Sequence, residues 1–176
     1  MSGDSLKRRK IAVLGSRSNH FVDAYYPTIE TTSVKTVTYN GVQYDCHIID
    51  TAGQDEYSPV NAQHAIGIHG YVLVYSITSR TSFDMIQIVY DKIVDFCGVT
   101  DIPCVIVGSK SDLHQSRKIQ FNEGQKLAGQ LHAQFQETSA KENKNVAKVF
   151  EMCLEEIEKR SLPNQKEPEA SRCVVM

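Results

Sequence analysis

Asp50-Thr51-Ala52-Gly53-Gln54-Asp55-Glu56-Tyr57 follows directly on Tyr44 to Ile49, a run with strand character. Its Asp therefore stands at the carboxyl end of a strand, where ligands of open α/β sheets collect. A carboxylate there can hold Mg²⁺ through water, and Gly53 can bring a backbone N–H against a phosphate with no Cβ in the way. A strand followed by an ordinary polar turn is the bland alternative, which D-T-A-G alone would leave standing. The surroundings of the string decide between the two.

On the amino-terminal side, Ser33 to Tyr39 and Val42 to Ile49 are β-rich runs joined by Asn40-Gly41, a strong hairpin signal. Upstream, Ile11-Ala12-Val13-Leu14 is a short apolar strand closed by Gly15. The basic run Lys7-Arg8-Arg9-Lys10 reads as its solvated flank. On the carboxyl side, Gly70 to Ser76 and Pro103 to Gly108 are apolar without alternation, as strands covered on both faces are. Helical spacing separates them. Phe83, Ile86, Val89, Ile93 and Phe96 recur at three- and four-residue steps, and Asn122 with Gln125 reads as a capping box. Val146, Val149, Phe150, Cys153, Leu154 and Ile157 form the apolar stripe of a last helix. Strand–helix alternation with one early hairpin predicts an α/β fold, a doubly wound, mostly parallel sheet with one antiparallel pair.

The 176 residues, 41% hydrophobic and 23% charged, suit one globular domain. A net charge of −2 argues against a general nucleic-acid binder. Five widely spaced cysteines, no signal peptide and no apolar run near the ~20 residues of a membrane span lead to the expectation of a cytosolic chain with reduced thiols. The six histidines lack ligand spacing, so no zinc site is expected.

If Asp50 to Gln54 touch phosphate, a base-reading loop belongs after a later strand. Gly108-Ser109-Lys110-Ser111-Asp112 stands in that place. A carboxylate can accept from both the N1–H and the N2–H₂ of guanine, a donor pair that adenine does not offer. The stem of Lys110 can lie along the ring face. Thr138-Ser139-Ala140-Lys141, ahead of the last helix, can offer a backbone N–H to the guanine oxygen.

These strings, with Tyr25-Tyr26-Pro27-Thr28-Ile29-Glu30 and the terminal Cys173-Val174-Val175-Met176, resemble the Ras superfamily of small GTPases over nearly the whole chain. The resemblance implies a GTP/GDP switch that hydrolyses GTP with a GTPase-activating protein and signals to the TOR kinase complex. It implies that Thr28 and Asp50 serve Mg²⁺, that Gly53 meets the γ-phosphate, that Gln54 orients the hydrolytic water and that Tyr25 lies over the nucleotide. Lys110, Asp112, Ser139, Ala140 and Lys141 would hold guanine. Residues from Asp23 to Ser33 would form the effector surface, ordered with GTP and released with GDP. Residues 1–160 would be the G domain and 161–176 a flexible tail.

The sequence departs from that family in the phosphate loop. Nucleotide-binding relatives carry G-x-x-x-x-G-K-[ST] after the first strand, whose backbone N–H groups cradle the phosphates while the Lys neutralises charge and the Ser/Thr holds Mg²⁺. Gly15, Arg17 and Ser18 open such a loop, but His20 and Phe21 stand where Gly and Lys belong. About a dozen residues are absent between Ser18 and Asn19, the loop's second half and most of a helix of ~10–14 residues. That helix would bury roughly three large apolar side chains at ~1.5–3 kcal/mol each. An in-frame loss of a coding segment, by splicing or in the gene model, accounts for the gap. Ser109 is a second departure, since the family has Asn there. Three readings follow: a switch with weakened nucleotide binding, an interaction protein that keeps the effector strand without the nucleotide, or an unstable product with no function of its own.

Cys173-Val174-Val175-Met176 is a C-a-a-X box whose Met points to farnesylation of Cys173 by farnesyltransferase. In the tail, Lys166 and Arg172 cancel against Glu167 and Glu169, and there is no second cysteine. One lipid without a basic patch anchors weakly and reversibly. The expectation is exchange between the cytosol and the cytoplasmic face of membranes, endomembranes favoured over the plasma membrane.

Overall fold

The computed structural model describes residues 6–15, 31–50 and 67–161. Six strands form one sheet in the order β2-β3-β1-β4-β5-β6. They are β1 (Lys7–Gly15), β2 (Thr31–Tyr39), β3 (Val42–Asp50), β4 (Gly70–Ser76), β5 (Cys104–Ser109) and β6 (Gln134–Glu137). All neighbours are parallel except β2 and β3, which pair antiparallel from Thr31 opposite Asp50 to Tyr39 opposite Val42. The expected doubly wound, mostly parallel α/β sheet with one hairpin is what the chain forms. Asn40 and Gly41 make its turn at φ of 49° and 75°. Two positive φ values in succession match the twist of the flanking strands, and Asn and Gly tolerate them at least cost.

Among the described residues three α-helices cover the sheet: α1 (Arg80–Cys97), α2 (Phe121–Gln130) and α3 (Val146–Ser161). Alternation along each strand sends successive side chains to opposite faces. On one face Leu14, Leu73, Tyr75 and Ile106 pack with Ile86, Val89 and Ile93 of α1 and with Ala128 of α2. On the other, Ile11, Cys46, Val72 and Val105 pack with Val149, Cys153, Leu154 and Ile157 of α3. Helix α1 begins at Ser79, whose hydroxyl accepts from Ser82 N, and ends at Gly98 in the left-handed region, which satisfies its last carbonyls.

Two local expectations need correction. The capping box of α2 is not Asn122 with Gln125. The cap is Gln120, at φ −75° and ψ 152°, and Glu123 accepts its N–H at 2.9 Å. A cap must be non-helical, and Asn122 already lies inside the first turn. The basic run is also more than a flank, because β1 starts at Lys7. Its Arg9 reaches Glu158 of α3 at 2.6 Å and lies 5.7 Å from the centre of the Tyr44 ring. Pairing with β3 from Lys7 opposite Tyr44 gives these charged residues a place in the ladder that their composition does not announce.

The contact between α3 and β4 depends on Gly70. A Cβ there would stand 2.8 Å from Cys153 Sγ and 2.8 Å from Ile157 Cδ1, both on buried side chains. Gly70→Ala is therefore expected to destabilise the domain by about 1–3 kcal/mol, the usual cost of overpacking. The measurement is the urea midpoint at unchanged m-value. The double variant Gly70→Ala/Cys153→Ala is expected to recover part of the loss, and an unchanged midpoint in the single variant would contradict this packing.

Candidate functional site

Because β1, β3, β4, β5 and β6 run in one direction, their last residues line one rim of the sheet: Gly15, Asp50, Ser76, Ser109 and Glu137. Gly15 lies opposite Val74 of β4, and a Cβ on it would come within 3.3 Å of the Val74 carbonyl oxygen. Asp50 is exposed at the end of β3, in register with Val13 of β1 and Thr31 of β2. Gly15 and Asp50, the two described residues expected on the phosphate side, thus stand on adjacent strands at the same rim. Arg17, Ser18, Tyr25, Thr28, Gly53 and Gln54, together with Cys173, lie outside the described residues.

The two loops expected to read the base are described in full. Strand β5 ends at Ser109, and Lys110 takes a left-handed conformation (φ 64°, ψ 38°) before the 3₁₀ turn Ser111–Ser116. Backbone bonds fix this corner: Ser111 N donates to Thr138 O at 2.9 Å, Leu113 N to Lys110 O at 2.9 Å and Ile77 N to Ser109 O at 3.1 Å. Ser109 Oγ donates to Tyr75 O at 2.7 Å. A shorter side chain than the family's Asn is thus spent on the neighbouring strand.

The second loop follows β6. Ser139 is fully buried, and its hydroxyl donates to Asp112 Oδ1 at 2.7 Å while accepting from Glu142 N at 3.1 Å. Its backbone is clamped to Lys144, N to O at 3.1 Å and in return at 2.8 Å. Asn143 and Asn145, at φ of 50° and 59°, make the tight return possible. Ala140 and Lys141 are exposed beside it. All five base-side residues predicted from sequence therefore meet at one place.

The electrostatics suit the ligand expected there. The Ser139 hydroxyl holds the Asp112 carboxyl below the usual carboxylate value, and the positive charges of Lys141 and Lys110 act in the same direction. Asp112 is ionised at neutral pH and acts purely as an acceptor, as two N–H groups on one base edge require. The sequence reading missed β6, the strand that delivers Ser139. Gln-Phe-Gln-Glu is short and half-buried throughout, with only Phe135 as an apolar signal.

The Ras family model matches residues 11–159. The GTP-binding protein rhb1 of Schizosaccharomyces pombe is 52% identical over 171 aligned positions, covering 90% of this chain and 92% of its own. The GTP-binding protein Rheb of Homo sapiens is 46% identical over 165 positions, covering 87% and 90%. The GTP-binding protein Rheb homolog of Dictyostelium discoideum is 43% identical over 182 positions, covering 97% and 98%.

The Asp112–Ser139 bond has a pH signature. The folded-state pKa of Asp112 is depressed, so its stabilisation is present above the ordinary carboxylate value and is lost as pH falls through the folded value. In Ser139→Ala the Asp112 pKa is expected to rise toward the ordinary value. The stability gap to the parent chain should then narrow as the pH is lowered from neutral into the acid range. Carboxyl-resolved NMR titration with urea unfolding at several pH values reads both, and an Asp112 pKa unmoved by the substitution would contradict the assignment.

Proposed function

The chain belongs to the Ras family, whose members bind GTP and GDP and hydrolyse GTP, and on that footing we propose that it works as a Rheb-like small GTPase with a weakened hold on its nucleotide. The observation that carries this reading is the Asp112–Ser139 hydrogen bond beside Lys110 at the carboxyl rim, a guanine-reading corner assembled from two loops. Asp50 and Thr28 hold Mg²⁺, Gly53 meets the γ-phosphate, Gln54 orients the attacking water and Tyr25 covers the nucleotide. Gly15, Arg17 and Ser18 open the phosphate loop, and with no Gly-Lys-Ser after them the phosphates lose most of their cradle.

The rest of the proposal follows the likeness to Rheb-named proteins. The chain signals to the TOR kinase complex, meets a GTPase-activating protein, and is farnesylated on Cys173 by farnesyltransferase. It then exchanges between the cytosol and the cytoplasmic face of endomembranes. A second reading rests on the same missing Gly-Lys-Ser: an interaction protein that keeps β2 and the lipid anchor and competes with intact relatives for their partners without cycling nucleotide.

Titration of the purified chain with a fluorescent GDP analogue and Mg²⁺ tests the proposal, with the rhb1 protein measured alongside. The affinity is expected to be guanine-selective and weaker than that of rhb1 by roughly a hundredfold or more, about 3 kcal/mol for the lost charge-assisted bonds. Affinity equal to rhb1 would refute the weakening. Cooperative unfolding with no guanine selectivity at millimolar nucleotide would replace the first reading by the second.

A further inference from the structure

Both backbone groups of Lys10 in β1 are taken by His69. The Lys10 carbonyl accepts from His69 N at 2.8 Å, and Lys10 N donates to His69 Nδ1 at 2.9 Å. The paired register of β1 and β4 begins just beyond, with Ile11 opposite Gly70. At Gly67 the backbone is left-handed, at φ 75°, and β4 starts only at Gly70. An imidazole nitrogen thus stands where a longer strand would supply a carbonyl, and it keeps a ladder N–H from going unpaired.

We propose that His69 is a pH-sensitive clasp on the seam between β1 and β4: its neutral ring closes the amino end of the seam, and its protonated ring releases it. A backbone N–H can only donate, so Nδ1 must carry the lone pair and Nε2 the proton. A second proton can go only onto Nδ1, and the bond to Lys10 is then lost. The residue is exposed, so protons reach the ring without any opening of the core.

The charges around the ring deepen the effect. Arg9 and Lys10 of β1 and Glu158 of α3 act on it. Glu158 is the one acid among these groups, and Arg9 already holds it, Nη2 to Oε1 at 2.6 Å and Nε to Oε1 at 2.9 Å. An imidazolium here meets two cations and a carboxylate that is already committed. Partial burial of the ring, then Arg9 and Lys10, push His69 below the ordinary histidine value, with Glu158 acting against them. Because the folded-state value is depressed, the bond is present at neutral pH and is lost as the pH falls through that lower value. The connection that leaves the sheet at Asp50 rejoins it here, so acid loosens one anchor of that connection. The buried core of the described residues holds no histidine and is left alone. This clasp goes beyond the switch reading and does not depend on nucleotide.

The test uses the full ¹⁵N-labelled chain, taken from about pH 7.5 to about pH 5, the range over which histidine charges. Two readouts are followed: the ring nitrogen shifts of His69, which report tautomer and titration, and the exchange protection of the Lys10 amide, with Ile106 in β5 as the control. At neutral pH the ring is expected to carry its proton on Nε2. Lys10 protection is expected to fall roughly three- to tenfold as His69 titrates, the worth of about one hydrogen bond, while Ile106 keeps its own. In His69→Asn the carboxamide oxygen is as many bonds from the backbone as Nδ1 and does not titrate, so Lys10 protection should stay constant over the same range. His69→Ala should show the low value throughout. A neutral ring protonated on Nδ1, or Lys10 protection that falls equally in the parent chain and in His69→Asn, would overturn the clasp. General loosening in acid would lower Ile106 together with Lys10, and the comparison with His69→Asn then decides. Should His69→Asn not fold, the tautomer and the coincidence of the His69 and Lys10 transitions in the parent chain decide in its place.

Discussion

Among the described residues five of the six strands run in one direction, and this constraint organises everything else. Parallel pairing requires crossovers over the faces, which is why helices lie on both sides and β4 and β5 are apolar throughout. It also brings the carboxyl ends of β1, β3, β5 and β6 to a single rim. Residues as distant in sequence as Gly15, Asp50, Asp112 and Ser139 become neighbours along that rim without any need for local proximity. The packing that holds the helices to the sheet, such as α3 against Gly70, therefore supports the site indirectly by keeping the strand ends in register.

At the base-side end of the rim, burial and charge act together. Ser139 is buried and spends its hydroxyl on Asp112 and on Glu142 N, so no polar atom of its side chain is wasted. The carboxylate it orients is kept ionised by that bond and by two nearby lysines. A preorganised acceptor discriminates strongly between bases, because a base lacking the matching donors would leave it unpaired. The half-buried ion pair of Arg117 with Glu137 ties the end of the Asp112 segment to the end of β6.

Much of this was legible in the sequence, for physical reasons. Apolar runs without alternation announced β4 and β5, Asn40-Gly41 announced the hairpin, and the three- and four-residue steps announced α1 and α3. Lys110 and Asp112 stood out because a carboxylate matches the donor edge of guanine and their loop follows an apolar strand, and Ser139 because its loop stands just ahead of the last helix. Other features were not readable. Strand β6 is too short and too evenly half-buried for a periodic signal, and it is held by its register with Val105 to Gly108. The start of β1 is charged and joins the sheet through pairing with β3. The true cap of α2, Gln120, is not among the residue types that favour that position, and it is set by its extended backbone and its bond to Glu123.

The central claim is the proposed one, that the Asp112 and Ser139 loops read guanine whatever happens to the phosphates. Guanosine, which has no phosphate, tests it most directly when added to the ¹⁵N-labelled chain. The account predicts saturable amide shifts confined to Lys110–Leu113 and Ser139–Lys141, with none of comparable size on adding adenosine. Equal shifts with both nucleosides, or none with guanosine up to its solubility, would contradict it.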